Sequence, residues 1–257
     1  MTNRLYWYGN AAKIEIIDEI LTAANGRAVA VFDYGCGDAG DWPQILRDHP
    51  NVRMFGYEPG PNARVAAERL QGLDARIYSG NEIETLEGPA DYIVSFSVFE
   101  HVYDRPAYLR HAKRVLAPGG TFMLNYDDGH FRNVVDLARL REAIPEVRSR
   151  MHNVLQPVLG AVGMRGNYQR RVARKEADAL IAAAGFHVDR EAYHNVRSLK
   201  LLARGIAEEK RQEFARFWVG IEQELNRRFL DRGRETMGDD ANLWREMMSR
   251  TLWLRHR

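Results

Sequence analysis

The residues with the most chemical potential in this 257-residue chain follow short apolar runs. Val31–Leu46 reads VFDYGCGDAGDWPQIL, with Gly35, Gly37 and Gly40 spaced G-x-G-x-x-G and Asp33 two residues ahead of the first glycine. Such a loop lets backbone approach a nucleotide at the start of a helix. A carboxylate beside a diphosphate would repel it, so the acid hints at a ligand of another kind that needs an acidic partner. The plainer reading of Asp33 is a carboxylate satisfied by turn amides. Glu58 lies 18 residues beyond Gly40, where a carboxylate can accept both hydroxyls of a ribose. Asn81 and Glu82 follow a third run, and Ser97, Glu100 and His101 a fourth.

Proton chemistry has few candidates. An imidazole can exchange a proton under physiological conditions, so His101 is the first choice for a general base; Tyr126 and His130 are the alternatives. Asp127, Asp128 and His130 have metal-binding side chains, but a cap and turn explains the DDGH run, so no metal is expected. Tyr6, Trp7 and Tyr8 read either as amino-terminal packing or as a lid.

The elements that must carry these groups alternate. Residues 10–24 place Ile14, Ile17, Ile20 and Leu21 on one helical face, with Asn10 as cap and Asn25-Gly26 as stop. Strands are predicted at 28–35, 52–60, 75–80, from 91 and over 120–128, with helices after the glycine loop, at 62–71 and at 105–116. Strand–helix alternation of this regularity implies a parallel sheet covered on both faces. Residues 173–186 read as a helix, 187–205 as two more strands and 206–257 as helical. Phe214, Phe217, Ile221, Leu225 and Phe229 form one stripe there, and Leu243, Met247 and Trp253 extend a second helix.

Composition bounds the rest. A net charge of +2 is too small to imply a polyanion partner, and no separate RNA-binding module is visible, so nucleic acid is not the expected partner. From Arg141 to Lys175, eight Arg or Lys residues face only Glu142 and Glu146, which is either a solvated surface or an attraction for an anionic substrate. The single cysteine, Cys36, sits inside the glycine loop and fits a reducing compartment. No secretory signal or membrane span is visible, and a cytoplasmic location is expected.

FDYGCGDAG, GYEPGPNA, DYIVSFSVFEHVYD and RVLAPGGTFML, in that order, resemble successive motifs of the class I S-adenosylmethionine-dependent methyltransferases. RVLAPGG is the piece a dehydrogenase has least reason to carry. The resemblance covers roughly residues 28–204 and implies a doubly wound, mostly parallel seven-stranded sheet with a helical insertion and a helical C-terminal extension. It divides the chain into an N-terminal helix or lid (1–27), a cofactor-binding core (28–204, with a substrate-side insertion at 128–172) and the extension (205–257). It implies S-adenosylmethionine as cofactor, with Asp33, Gly35, Gly37, Glu58, Pro59, Asn81, Glu82 and Ser97 as its binding set. The sequence departs from the pattern at Ala39, where the third glycine falls, and at Asn81, where an aspartate is frequent. The implied reaction is methylation of O or N on a small-molecule or sugar-like acceptor. The alternatives are methylation of RNA or another nucleic acid and a non-catalytic S-adenosylmethionine-binding scaffold. Association of two copies through the C-terminal helices is a further expectation.

Overall fold

The computed structural model describes residues 5–86, 89–127, 172–231 and 247–257, the side chains of 229–231 excepted. His130, Asp128, Leu243 and the Arg-rich stretch up to Arg171 lie outside the described residues. Seven strands form one sheet: β1 (Val29–Tyr34), β2 (Val52–Tyr57), β3 (Ala75–Tyr78), β4 (Ala90–Phe96), β5 (Leu116–Tyr126), β6 (Phe186–Val196) and β7 (Met247–His256). Their order is β3-β2-β1-β4-β5-β7-β6. The first five pair in parallel, and β7 runs antiparallel between β5 and β6. The order reverses between β1 and β4, and an open parallel sheet binds ligands at the carboxyl ends of strands at such a point.

The described helices are α1 (Ala11–Ala24), α2 (Trp42–Asp48), α3 (Asn62–Arg69), α4 (Arg105–Val115), α5 (Arg174–Ala183), α6 (Arg197–Ala203) and α7 (Arg211–Asp231). Alternate residues of β1 supply opposite cores, because successive strand side chains point to opposite faces. Phe32 packs with Tyr108, Phe122, Phe186 and Leu252. Val31 packs with Ile16, Ile17, Trp42, Met54 and Trp253. The start of α1 is as expected, with Asn10 Oδ1 accepting from Lys13 N at 3.2 Å, and Asn25 ends it in the left-handed region at φ 42°.

The carboxyl-terminal third departs from the sequence expectations. Residues 187–196 belong to one eleven-residue strand, and 197–203 form α6 in place of a second strand. Met247 and Trp253 lie on β7, not on a helix, so the sheet is completed by residues well beyond 204. Arg250 explains why this strand holds its place. It is 2% exposed and donates to Glu191 (2.6 Å), Asp178 (2.7 Å) and the Tyr126 hydroxyl (2.9 Å). A buried guanidinium needs such partners.

The α7 stripe is also displaced. Phe217 and Ile221 are exposed, whereas Ala215, Trp218, Glu222 and Asn226 are buried. Glu222 accepts from the backbone N–H groups of Asn195 (3.0 Å) and Val196 (2.7 Å), and Asn226 accepts from that of Tyr193 (2.7 Å). α7 docks through polar groups that satisfy β6.

Candidate active site

The carboxyl ends of β1, β2 and β4 converge on the glycine loop. Gly35 has φ +95°, and a Cβ added there would stand 2.3 Å from Val98 Cγ2, so only glycine lets the β4 exit pack against the loop. Gly37 has φ +57°, and no protein atom stands within 4 Å of where its Cβ would be, so this part of the loop faces open space. Ala39 takes φ 52° while buried, a conformation that strains a residue with a Cβ by ~1–2 kcal/mol. Ser97, exposed at the β4 exit, is also left-handed at φ 55°. Such strain gathers at functional sites. Arg69 of α3 pins the loop from outside through Asp38, with an Nη1–O bond of 3.0 Å and an ion pair of 2.7 Å.

Glu58, half-buried at the end of β2, accepts from Gly37 N–H at 3.1 Å and from Gly60 N–H at 2.8 Å. Each carboxylate oxygen retains a lone pair for a hydroxyl. Pro59 beside it is exposed. Asp33 is buried, and its Oδ2 accepts from the Trp42 indole at 2.7 Å. Burial pushes this carboxyl up, with the Lys13 charge and the Trp42 bond opposing. Its partner is thus the Trp42 indole and not a turn amide. Glu82 is occupied locally, accepting from Ser79 N–H at 2.7 Å in a capping box, while Asn81 is exposed. Cys36 is buried and its thiol is pushed up by burial, which removes it as a nucleophile.

The E-H pair after β4 divides. His101 is exposed at the end of the short turn 99–101. Glu100 is buried, its Oε2 has no partner among the described residues, and its carboxyl is pushed up to about 7, chiefly by burial. Tyr126 is fully buried and its hydroxyl accepts from Arg250, so it belongs to the sheet's ionic cluster and not to an open mouth. Sequence reasoning overlooked Trp42 and Lys13. Lys13 Nζ lies 2.9 Å from Asp41, 4.9 Å from the Tyr8 ring centroid and 5.6 Å from that of Phe96. The amide cap at Asn10 was legible; that the same helical turn aims a lysine at the glycine loop was not.

A parallel five-strand core with a glycine loop at its switch point, extended by an antiparallel strand between β5 and β6, defines a class of α/β proteins. A dinucleotide-binding sheet ordered 3-2-1-4-5-6 has no such inserted strand. A family described as a methyltransferase domain matches residues 8–189. The chain belongs to this methyltransferase family, an enzyme family whose donor is S-adenosylmethionine.

A Mycolicibacterium smegmatis protein named as a probable S-adenosylmethionine-dependent methyltransferase is 30% identical over 95 residues, 37% of each chain. A ubiquinone biosynthesis O-methyltransferase from Methylobacterium nodulans is 31% identical over 104 residues, 37% of this chain and 39% of that one. The match thus spans well under half the length of either curated relative. Among solved structures, a cyclopropane synthase from Mycobacterium tuberculosis superposes with TM-score 0.52 at 18% identity, covering 94% of this chain and 84% of that one. Geranyl diphosphate C-methyltransferase from Streptomyces coelicolor, solved with S-adenosyl-L-homocysteine, gives 0.53 at 12% identity, over 94% and 78%. These two share the fold.

Proposed function

We propose that the chain transfers a methyl group from S-adenosylmethionine to an oxygen or nitrogen of a small-molecule or sugar-like acceptor. The observation that carries this reading is the Glu58 carboxylate, fixed by the amides of Gly37 and Gly60 beside an open glycine cradle. Glu58 is preorganised to accept ribose hydroxyls, and Gly37 leaves room for the methionine end. Asp33, held by Trp42, supplies the negative charge an ammonium needs. Asn81 can accept from an adenine amino group through its amide oxygen. Pro59 and Ser97 flank the cradle, and Glu82 serves it by fixing the turn that carries Asn81.

When bound, S-adenosylmethionine supplies a methyl carbon on a positively charged sulfur. The protein's share is alignment and exclusion of water. A hydroxyl acceptor also needs its proton removed; we assign this to His101, which follows β4 in the turn 99–101 next to the buried Glu100. The chain incubated with methyl-labelled donor and a metabolite extract should label small molecules, and Glu58→Ala should sharply reduce the label at limiting donor. Label found only in RNA would refute the acceptor class. Tight S-adenosylhomocysteine binding with no labelled product would favour the scaffold alternative.

A further inference from the structure

A cavity of 310 Å³ opens between the amino-terminal segment, the end of the glycine loop and α6, lined among others by Trp7, Tyr8, Asp41, Lys200, Arg204 and Arg211. Its volume is that of a site for a small molecule, at the low end of ~300–1,000 Å³. The lining charge is lopsided. Asp41 is the acid of the lining, and Lys13 already neutralises it at 2.9 Å. Lys200, Arg204 and Arg211 have no carboxylate at ion-pair distance among the described residues.

Two residues of this lining each hold a buried polar atom with no partner among the described residues, Arg211 its Nε and Tyr8 its hydroxyl. A buried donor without a partner costs ~1–3 kcal/mol, so such a pair persists where a ligand satisfies it. Lys200 is half-buried, and burial and then Arg204 push its ammonium down. The same ammonium feels the charges of Asp127 and Glu100, at the exits of β5 and β4. The cationic wall therefore lies within electrostatic reach of the exits of β5 and β4. Trp7 adds an aromatic wall, with the Arg211 guanidinium 6.0 Å from its ring centroid.

We infer that this cavity is the acceptor subsite and takes the carboxylate or phosphate of a small-molecule acceptor, with Lys200, Arg204 and Arg211 as its specificity determinants. The inference rests on the methyltransferase reading for the word acceptor, but the anion site itself stands on the cavity and its unpaired cations. Arg211 Nε and the Tyr8 hydroxyl donate to the anion's oxygens. Lys200 and Arg204 supply charge, and Trp7 stacks on the body of the molecule.

The test is calorimetric titration of the full chain, saturated with S-adenosylhomocysteine, with benzoate, phenyl phosphate and the neutral isostere benzamide. Either anion should bind at least about tenfold more tightly than benzamide, and the double variant Lys200→Gln/Arg204→Gln should lose about tenfold in anion affinity. Its S-adenosylhomocysteine affinity should stay within about twofold of the parent. Equal binding of acid and amide, no anion binding to the parent, or anion binding unchanged in the variant overturns the inference. Parallel loss of S-adenosylhomocysteine affinity also overturns it, since the charges would then serve the donor's own carboxylate. Arg204→Gln alone, at an exposed position, repeats the measurement if the double variant fails to fold. If the parent fails to bind S-adenosylhomocysteine, the methyltransferase reading falls; the anion arms, run without it, still decide the site.

Discussion

The Trp42 indole donates a 2.7 Å hydrogen bond to the buried Asp33 carboxylate, tying the first turn of α2 to the end of β1 across the glycine loop. Removing the donor leaves a buried acid short of a partner. Trp42→Phe should therefore lower unfolding free energy by about 1–3 kcal/mol in urea titrations. Asp33→Asn keeps the shape and removes the charge. It should cost little stability yet weaken S-adenosylhomocysteine binding about tenfold, and unchanged affinity would show that the acid faces no ammonium.

Gly35 and Gly37 should respond differently to the same change. Gly35→Ala forces a Cβ to 2.3 Å from Val98 at φ +95°, so it should destabilise the fold, and Val98→Ala should restore part of the loss. Gly37→Ala meets no protein atom within 4 Å, so thermal denaturation should show only the strain of φ +57°, ~1–2 kcal/mol. Its ligand affinity should fall further than its stability does, because the new methyl enters the cradle. Equal responses would contradict the assignment of Gly37 to ligand space.

Glu100 makes a prediction about pH. Its carboxyl is raised from 4.5 to about 7, so between those values the folded protein holds a proton that the unfolded chain has lost. Stability from this group is present below pH 4.5 and declines as pH rises through about 7. At ~1.4 kcal/mol per tenfold change in proton affinity, the full effect is on the order of 3 kcal/mol. The difference between wild-type and Glu100→Gln stability curves should slope downward for the wild type over that interval. A flat difference would mean Glu100 is solvated.

Arg250 should be indispensable to β7. Arg250→Leu takes the 2.6 Å cation from Glu191 and the 2.7 Å cation from Asp178. It should cost on the order of 3 kcal/mol by chemical denaturation. A neutral outcome would show that strand pairing alone holds β7 between β5 and β6.

β1 to β4 were legible because each is a short apolar run ending in a turn or an acid; β5 was legible only from Gly120 on, since Pro118-Gly119-Gly120 reads as a helix stop yet lies inside the strand. The last third was not. MMSRTLWLRH has apolar residues that also fit a helix, and its buried arginine disguises a strand interior; its partners Glu191 and Asp178 are distant in sequence. Glu222 and Asn226 are polar, so the periodicity of α7 pointed to Phe217 and Ile221, which are exposed. The places of Glu58 and the glycines just after β2 and β1 were readable from spacing. Lys13, Trp42 and the cationic cavity were not, because residues from the amino terminus, the loop and α6 meet only after folding. Among the described residues no helix is long and apolar enough to cross a membrane.

The most direct measurement is calorimetric titration of S-adenosylhomocysteine and of NAD into the parent chain and Glu58→Ala. S-adenosylhomocysteine should bind the parent, with affinity falling at least about tenfold in Glu58→Ala, and NAD should bind neither. NAD binding in place of S-adenosylhomocysteine, or an affinity indifferent to Glu58, would contradict the account.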